Sequence, residues 1–261
     1  RHRGVMSAPE QALLNAVALR PGEAVAAGLP PMTHRVLPGQ ANCLMGTDLP
    51  ARTAYLRALA AVDPPLAGVL YYRGQDITRL DRRTWRGLRR RIAYVAAGAP
   101  LLSVVNGLVN VTLPALYHGL GTALVVNQRA KELLAMAEFA GDATRLPAFL
   151  SPLEQRQLAI CRGLVLAPEV LFVDMPFAGL EPEAAQCLSD FFQRLRATGL
   201  SLCLAGNEVR HLVPWVDDIL FLQPERILWL PGQQALVQCR DPAVVHFLAQ
   251  RGISTTALSA G

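Results

Sequence analysis

Lysine is all but missing from this chain: Lys131 stands alone among twenty-five basic residues, and the rest are arginines. Together with the abundant alanine, this reads as genome composition rather than function. Cysteine is sparse and scattered. Cys43, Cys161, Cys187, Cys203 and Cys239 form no CxxC pair, which excludes a zinc ribbon and a disulfide framework. Cys43, Cys161 and Cys203 lie in apolar runs, so reduced thiols packed in a core are expected. Only 17% of residues are charged and 52% are apolar, which excludes a disordered or collagen-like chain and supplies a sizeable core. The three tryptophans, Trp85, Trp215 and Trp229, show no pattern for stacking on bases. The net charge of +5 reads as a modest excess spread along the chain, which is weak evidence for nucleic acid and suits an anionic membrane surface equally; no nucleic acid partner is expected. The opening RHRGVMSAPEQ has no apolar h-region, and no signal peptide is expected.

One long stretch has no charge at all. From Ile92 to Gln128 there is no Asp, Glu, Lys or Arg, which is length enough to span a bilayer. Yet Pro100, Pro114, Asn106, Asn110, Asn127, His118 and several glycines interrupt it. The expectation is a buried strand at Ile92–Val95, a loop, and helical segments on or under a partner surface, with no transmembrane segment.

At 261 residues, one large domain or two small ones is expected. Strands and helices alternate as in an α/β protein. Short apolar runs at Leu13–Leu19, Glu23–Leu29 and Asn42–Met45 predict a β-rich start. Helices are predicted at Ala51–Val62, Arg82–Arg91 (strongly basic) and Lys131–Phe139, with a strand at Gly68–Tyr72. Ser151 as cap and Pro152 in the first turn predict a helix to Leu166. The all-apolar run Val170–Val173, ending in Asp174, is typical of a strand buried on both faces. A helix follows at Pro182–Thr198, closed by Gly199, then a strand at Leu200–Leu204 and a helix from Asn207 to Val213. Ile219–Leu222 and Arg226–Trp229 suggest a hairpin, and Asp241–Arg251 a last helix.

Strand, small-residue turn and helix at Cys43–Leu59 follow the order of a phosphate-binding loop, which needs glycines, a cation for the outer phosphates and a hydroxyl for Mg²⁺. The segment reads Gly46-Thr47-Asp48-Leu49-Pro50-Ala51-Arg52-Thr53. Downstream come Ser151-Pro-Leu-Glu154, Leu171-Phe-Val-Asp174, Ala178-Gly-Leu-Glu-Pro182 and Leu204-Ala-Gly-Asn207-Glu208. In order and spacing this series resembles the ATP-binding subunits of ABC transporters. Ser151–Glu154 stands at the signature, Asp174 at the end of the Walker B strand, Ala178–Pro182 at the D-loop and Asn207 at the switch histidine. Arg89–Ala97 resembles the strand entering the Q-loop. The resemblance covers roughly residues 10–235. The tail Asp241-Pro-Ala-Val-Val-His-Phe-Leu248 is similar to that of ATPases driving Mce/Mla-type phospholipid transporters.

The resemblance implies an α/β, P-loop NTPase fold of the ABC type in a single domain over 1–261. A RecA-like core and antiparallel β lobe would span about 10–97 and 155–235, a helical subdomain about 98–154, and a tail 236–261. It implies nucleotide contacts at Gly46, Asp48, Ala51, Arg52, Thr53, Ala97, Ser151, Asp174 and Asn207, with Mg²⁺ on Thr53 and Asp174. It also locates the departures. Pro50 has no N–H, Leu49 and Ala51 stand for glycines, and Asp48 puts negative charge where polyphosphate approaches. Arg52 keeps the cation in a larger planar form. Met175 stands at the catalytic glutamate, and a thioether cannot take a proton at neutral pH. Asn207 could hydrogen-bond a γ-phosphate but carries no charge, and Ala97 stands at the Q-loop glutamine. The expectation is weakened binding of ATP and Mg²⁺ and little or no hydrolysis. Expected partners are a transmembrane permease, met near Ala97–His118, and a homodimeric or heterodimeric ATPase partner. The expected location is cytoplasmic, peripheral on the inner face of a bacterial cytoplasmic membrane. The competing implication is a soluble ABC-fold pseudoenzyme acting as scaffold or nucleotide sensor.

Overall fold

The structure, a computed structural model, describes residues 12–22 and 28–253. Most of the run Glu23–Leu29 and the end of the tail therefore lie outside the described residues. In chain order the elements are β1 (Leu14–Arg20), β2 (Met32–Val36), β3 (Ala41–Gly46), α1 (Leu49–Leu59), β4 (Ala67–Tyr72), β5 (Gln75–Asp76), α2 (Arg82–Leu88) and β6 (Ile92–Val95). Then come α3 (Gly107–Tyr117), α4 (Ala123–Met136), α5 (Pro152–Leu164), β7 (Val170–Asp174), α6 (Pro182–Ala197), β8 (Ser201–Ala205), α7 (Val209–Leu212), β9 (Asp218–Leu222), β10 (Ile227–Pro231), α8 (Gly232–Gln238) and α9 (Pro242–Ala249).

Two sheets result. A six-stranded sheet runs β10-β9-β3-β8-β7-β6, parallel except for the antiparallel edge strand β10. An antiparallel sheet runs β2-β1-β4-β5. The fold class is thus α/β, as expected. The all-apolar strands are explained by alternation between two cores. In β7, Leu171 and Val173 pack with Leu158, Ile160, Phe191 and Phe192 on the face covered by helices. Val170 and Phe172 pack with Tyr55, Leu56 and the antiparallel sheet's Leu14 and Leu70 on the other face. The five cysteines are free; Cys43, Cys161 and Cys203 are buried, and burial pushes their thiols up.

The uncharged stretch breaks into β6, a loop and two helices, and no helix of the described residues is long and apolar enough to cross a membrane. Its asparagines explain the breaks. Asn106 caps α3 by accepting from the Val109 N–H at 2.9 Å. Buried Asn110 accepts from the Leu102 N–H at 2.8 Å and donates to the carbonyls of Leu102 and Val105, pinning the loop before the helix. Gly119 and Gly121, both with positive φ, separate α3 from α4.

Some boundaries differ from expectation. Helix α2 stops at Leu88, not Arg91, because the Arg91 carbonyl accepts from the Glu169 N–H at 2.8 Å as the chain extends into β6. Helix α4 begins at Ala123 rather than Lys131, capped by Thr122, and ends at Met136. Helix α1 begins two residues early, at Leu49, for a reason that belongs to the site below.

The two sheets are joined through a polar pair, His34 Nε2 and Asn42 Oδ1 at 2.8 Å, in which both residues are buried. Burial lowers the His34 pKa, more than its bond to Asn42 raises it. The neutral ring is therefore the folded form. Above pH ~6.5 it has no effect on stability, but below that the unfolded chain takes up the proton first and stability falls. Urea unfolding is expected to show a lower midpoint at pH ~5.5 than at ~7.5, with a flatter profile for His34→Gln.

Candidate functional site

Neighbouring parallel strands β3, β8 and β7 end side by side, at Gly46, Ala205 and Asp174. The carboxyl ends of such strands are where open α/β sheets bind ligands. Only Thr47 and Asp48 separate β3 from α1. Gly46 has φ +142, and a Cβ there would meet the Leu222 carbonyl oxygen at 2.6 Å, so only glycine fits this turn.

The short connection has a local cause. Asp48 is the N-cap of α1, and its carboxylate accepts from the Ala51 N–H at 2.9 Å. Its carbonyl accepts from the Arg52 N–H at 3.2 Å. Pro50, in the first turn, has no N–H to offer and fits the helical φ. Asp48 thus occupies the position at a helix N-terminus that an anion takes, and winds the helix back to Leu49.

One basic and one acidic group, Arg52 and Asp174, sit behind this turn. Arg52 is buried, and its Nε and Nη1 have no hydrogen-bond partner. Burial lowers its pKa, opposed by the nearby negative groups Glu208 and Asp174. Asp174 is buried as well. Its Oδ2 accepts from the Thr53 hydroxyl at 2.9 Å, its Oδ1 is unpartnered, and burial raises its pKa despite the Thr53 bond. The Tyr94 hydroxyl lies 3.5 Å from the same Oδ2, at the limit of a hydrogen bond.

Asn207 lies beside this cluster in a role that sequence did not suggest. Its Nδ2 donates to the Gly46 carbonyl at 2.9 Å and its Oδ1 accepts from the Gly46 N–H at 3.3 Å. The amide that was expected to face a phosphate is bonded twice to the backbone of the loop. Met175, half-buried at φ +48, follows Asp174. Its carbonyl accepts from Arg156 Nη1 at 3.0 Å, and the Ala178 carbonyl accepts from Arg156 Nη2 at 3.2 Å. Buried Arg156 of α5 therefore braces the turn after Asp174.

The structure brings Gly46, Asp48, Ala51, Arg52, Thr53, Asp174, Met175 and Asn207 together. Ala97 is exposed in the turn after β6, and Ser151 is exposed at the start of α5. Ser151 and Glu154 form a reciprocal capping box: the Ser151 N–H donates to Glu154 Oε2 at 2.7 Å, and the Glu154 N–H to Ser151 Oγ at 3.3 Å. Glu154 is thus turned onto its own helix end. Sequence reasoning missed Arg156 and Tyr94. Arg156 had a faint signal, an arginine directly before the apolar run Leu158–Cys161. Tyr94 had none.

Residues 31–178 match the family described as "ABC transporter". The chain belongs to the ABC transporter family. A lipoprotein-releasing system ATP-binding protein, LolD of Ruegeria pomeroyi, is 33% identical over 207 residues, covering 73% of this chain and 90% of LolD. The intermembrane phospholipid transport system ATP-binding protein MlaF of Haemophilus influenzae is 24% identical over 82% of this chain and 81% of its own. The methionine import ATP-binding protein MetN of Xylella fastidiosa is 29% identical over 77% of this chain, which spans 60% of MetN's length. In fold, the chain is similar to the dimeric structure of MJ0796, a bacterial ABC transporter cassette, with TM-score 0.76 and 20% identity over 84% of this chain and 98% of that one. The Mla type is therefore one of several relatives, alongside proteins named for other cargoes.

An ABC ATPase fold implies nucleotide binding, typically with Mg²⁺. The residues present fit in part. The unpartnered Arg52 donors suit a phosphate oxygen. The Thr53 hydroxyl and the free Asp174 Oδ1 suit a hard cation that keeps other ligands from water and phosphate. The described residues hold no group of three or more His, Cys, Asp or Glu able to bind a metal alone. The occupied helix end and the clasped Gly46 do not suit a polyphosphate.

Proposed function

We propose that this chain is an ABC transporter cassette in which nucleotide binding is weakened and intrinsic hydrolysis is little or absent. The observation that carries this reading is the self-satisfied loop: Asp48 bonds the Ala51 N–H, and Asn207 bonds both polar atoms of Gly46. An incoming phosphate must displace these bonds and approach a carboxylate. Arg52 would hold an outer phosphate, while Thr53 and Asp174 would hold Mg²⁺, which when bound would neutralise phosphate charge. Among the described residues none is placed to activate water. Met175 presents a thioether, and Glu208 Oε2 is turned back onto the Asn207 N–H at 2.9 Å.

The partner of this cassette is a permease at the inner face of a cytoplasmic membrane, met through the segment near Ala97–His118. Support comes from apolar side chains left exposed there, Leu102, Val104, Val109, Leu113, Leu116 and Tyr117. A second ATPase subunit, identical or different, would complete the pair. Phospholipid cargo of the Mce/Mla type is favoured by the Asp241–Leu248 tail and by the likeness to MlaF.

Steady-state turnover tests the catalytic part. Purified protein is expected to release phosphate at the same background rate as Asp174→Asn. Turnover well above background, lost in Asp174→Asn, would mean a working ATPase and end this reading. Co-purification with a permease tests the assembly, and its absence would favour the soluble scaffold or sensor.

A further inference from the structure

The positive charge of this chain is not spread evenly. Seven arginines and one acidic residue, Asp81, fall between Arg79 and Arg91, so this stretch carries +6 in a chain whose total is +5. Everything else sums to −1. The structure sets this stretch on and around α2, where residues 83–87 are all exposed.

The arginines there divide by their partners. Arg91 pairs with Glu169 at 2.7 Å. Arg89 donates to the Ala61 carbonyl at 2.9 Å and lies over the Trp85 ring at 4.1 Å from its centroid. Arg79, Arg83, Arg86 and Arg90 meet no carboxylate among the described residues and point no charge inward: all four are exposed. The local carboxylates are already engaged. Asp81 accepts from the Thr84 N–H at 2.7 Å, Asp76 from the Thr78 N–H at 2.8 Å, and Asp63 is paired with Arg57. Trp85 stands in the middle, part exposed, its indole N–H fixed on the Ala61 carbonyl at 3.0 Å. Beside it opens a cleft of about 1080 Å³ lined by Pro64, Pro65, Leu70, Ile77 and Leu80.

We infer that this face is a docking surface for anionic phospholipid headgroups. Four unpaired guanidinium groups offer planar, multidentate donors to phosphodiesters. A part-exposed tryptophan with its N–H anchored suits the boundary between headgroup and acyl chain. Concentrating the charge in one stretch, against a slightly acidic remainder, orients the protein with α2 toward a negative surface. A nucleic acid fits less well, because Trp85 has its ring face already taken by Arg89 and is the only aromatic residue between Arg79 and Arg91. This inference rests on the proposed membrane placement, but vesicle binding needs neither permease nor nucleotide, so each reading can fail alone.

The test is flotation of the purified full chain with vesicles of phosphatidylcholine, with and without roughly 30 mol% phosphatidylglycerol. Binding is expected only with phosphatidylglycerol, and it is expected to weaken as salt rises from about 0.1 to 0.5 M. Each arginine removed from an anionic surface is expected to cost about fivefold in affinity. The triple variant Arg83→Gln, Arg86→Gln, Arg90→Gln should therefore lose at least ~50-fold while keeping its circular dichroism spectrum. The pair Arg210→Gln, Arg240→Gln, exposed arginines elsewhere, should lose little. Three results overturn the proposal: no preference for the anionic vesicles, equal loss in the control pair, or displacement from vesicles by duplex DNA at equal phosphate concentration.

Discussion

Replacing Arg52 with methionine is expected to leave the ligand-free protein about as stable as the parent and to lower its affinity for nucleotide. Arg52 is 5% exposed, and two of its guanidinium nitrogens are buried without a partner. Leaving buried polar donors unsatisfied costs about 1–3 kcal/mol. Methionine keeps most of the hydrocarbon volume and loses that cost. The loss of a positive neighbour for Asp174 and Glu208 works the other way. The two effects are similar in size, so urea unfolding is expected to shift by no more than about 1 kcal/mol. Binding has no such compensation. The cation is the one strong phosphate donor in the cluster, and its removal is expected to lower ATP affinity at least tenfold, about 1.4 kcal/mol. Destabilisation by several kcal/mol would instead make Arg52 a structural residue, held by Glu208 and Asp174.

Phe192→Ala is expected to have the largest effect on stability. Phe192 is fully buried in the helix-side core. It stacks against Trp215 at 6.1 Å between centroids and Phe191 at 6.4 Å, and meets Phe177 edge-on at 5.9 Å. Emptying that volume is expected to cost about 3–5 kcal/mol, a large share of the 5–15 kcal/mol by which a domain is usually stable. Because Phe177 lies within the turn braced by Arg156, the cavity would also loosen the floor beneath Met175. Denaturant unfolding followed by tryptophan fluorescence reads the loss. Phe149→Ala is the control: Phe149 is 62% exposed, beside Arg145, and its removal is expected to change little.

Much of this structure is legible in the sequence, for physical reasons. Strands buried on both faces leave apolar runs such as Val170–Val173, and helices announce their ends with Ser151-Pro152 and Gly199. Those local signals gave the alternation, and their spacing located the residues at the strand ends. The start of helix α4 is hidden because Ala123–Gln128 carries no charge and merges with the apolar stretch, although Thr122 is its cap. The clasp of Asn207 on Gly46 was not legible. It joins residues 161 apart, and an asparagine near a phosphate loop looks the same whether it faces the ligand or the backbone. Arg156 and Tyr94 were missed for the same reason, since each acts on a partner brought close only by packing. Asp48 is visible in the sequence as a negative charge in the loop. That it shortens the loop by capping α1 required the backbone.

The most direct test is a calorimetric titration of the purified chain with ATP, with and without Mg²⁺. The expected result is a dissociation constant no tighter than about 0.1 mM, equivalent to about −5.5 kcal/mol. Asp48→Gly with Asn207→Ala, which frees both the helix end and Gly46, is expected to tighten it. Micromolar, Mg²⁺-dependent binding by the unaltered chain would contradict the self-satisfied loop and return this cassette to the working ATPases of its family.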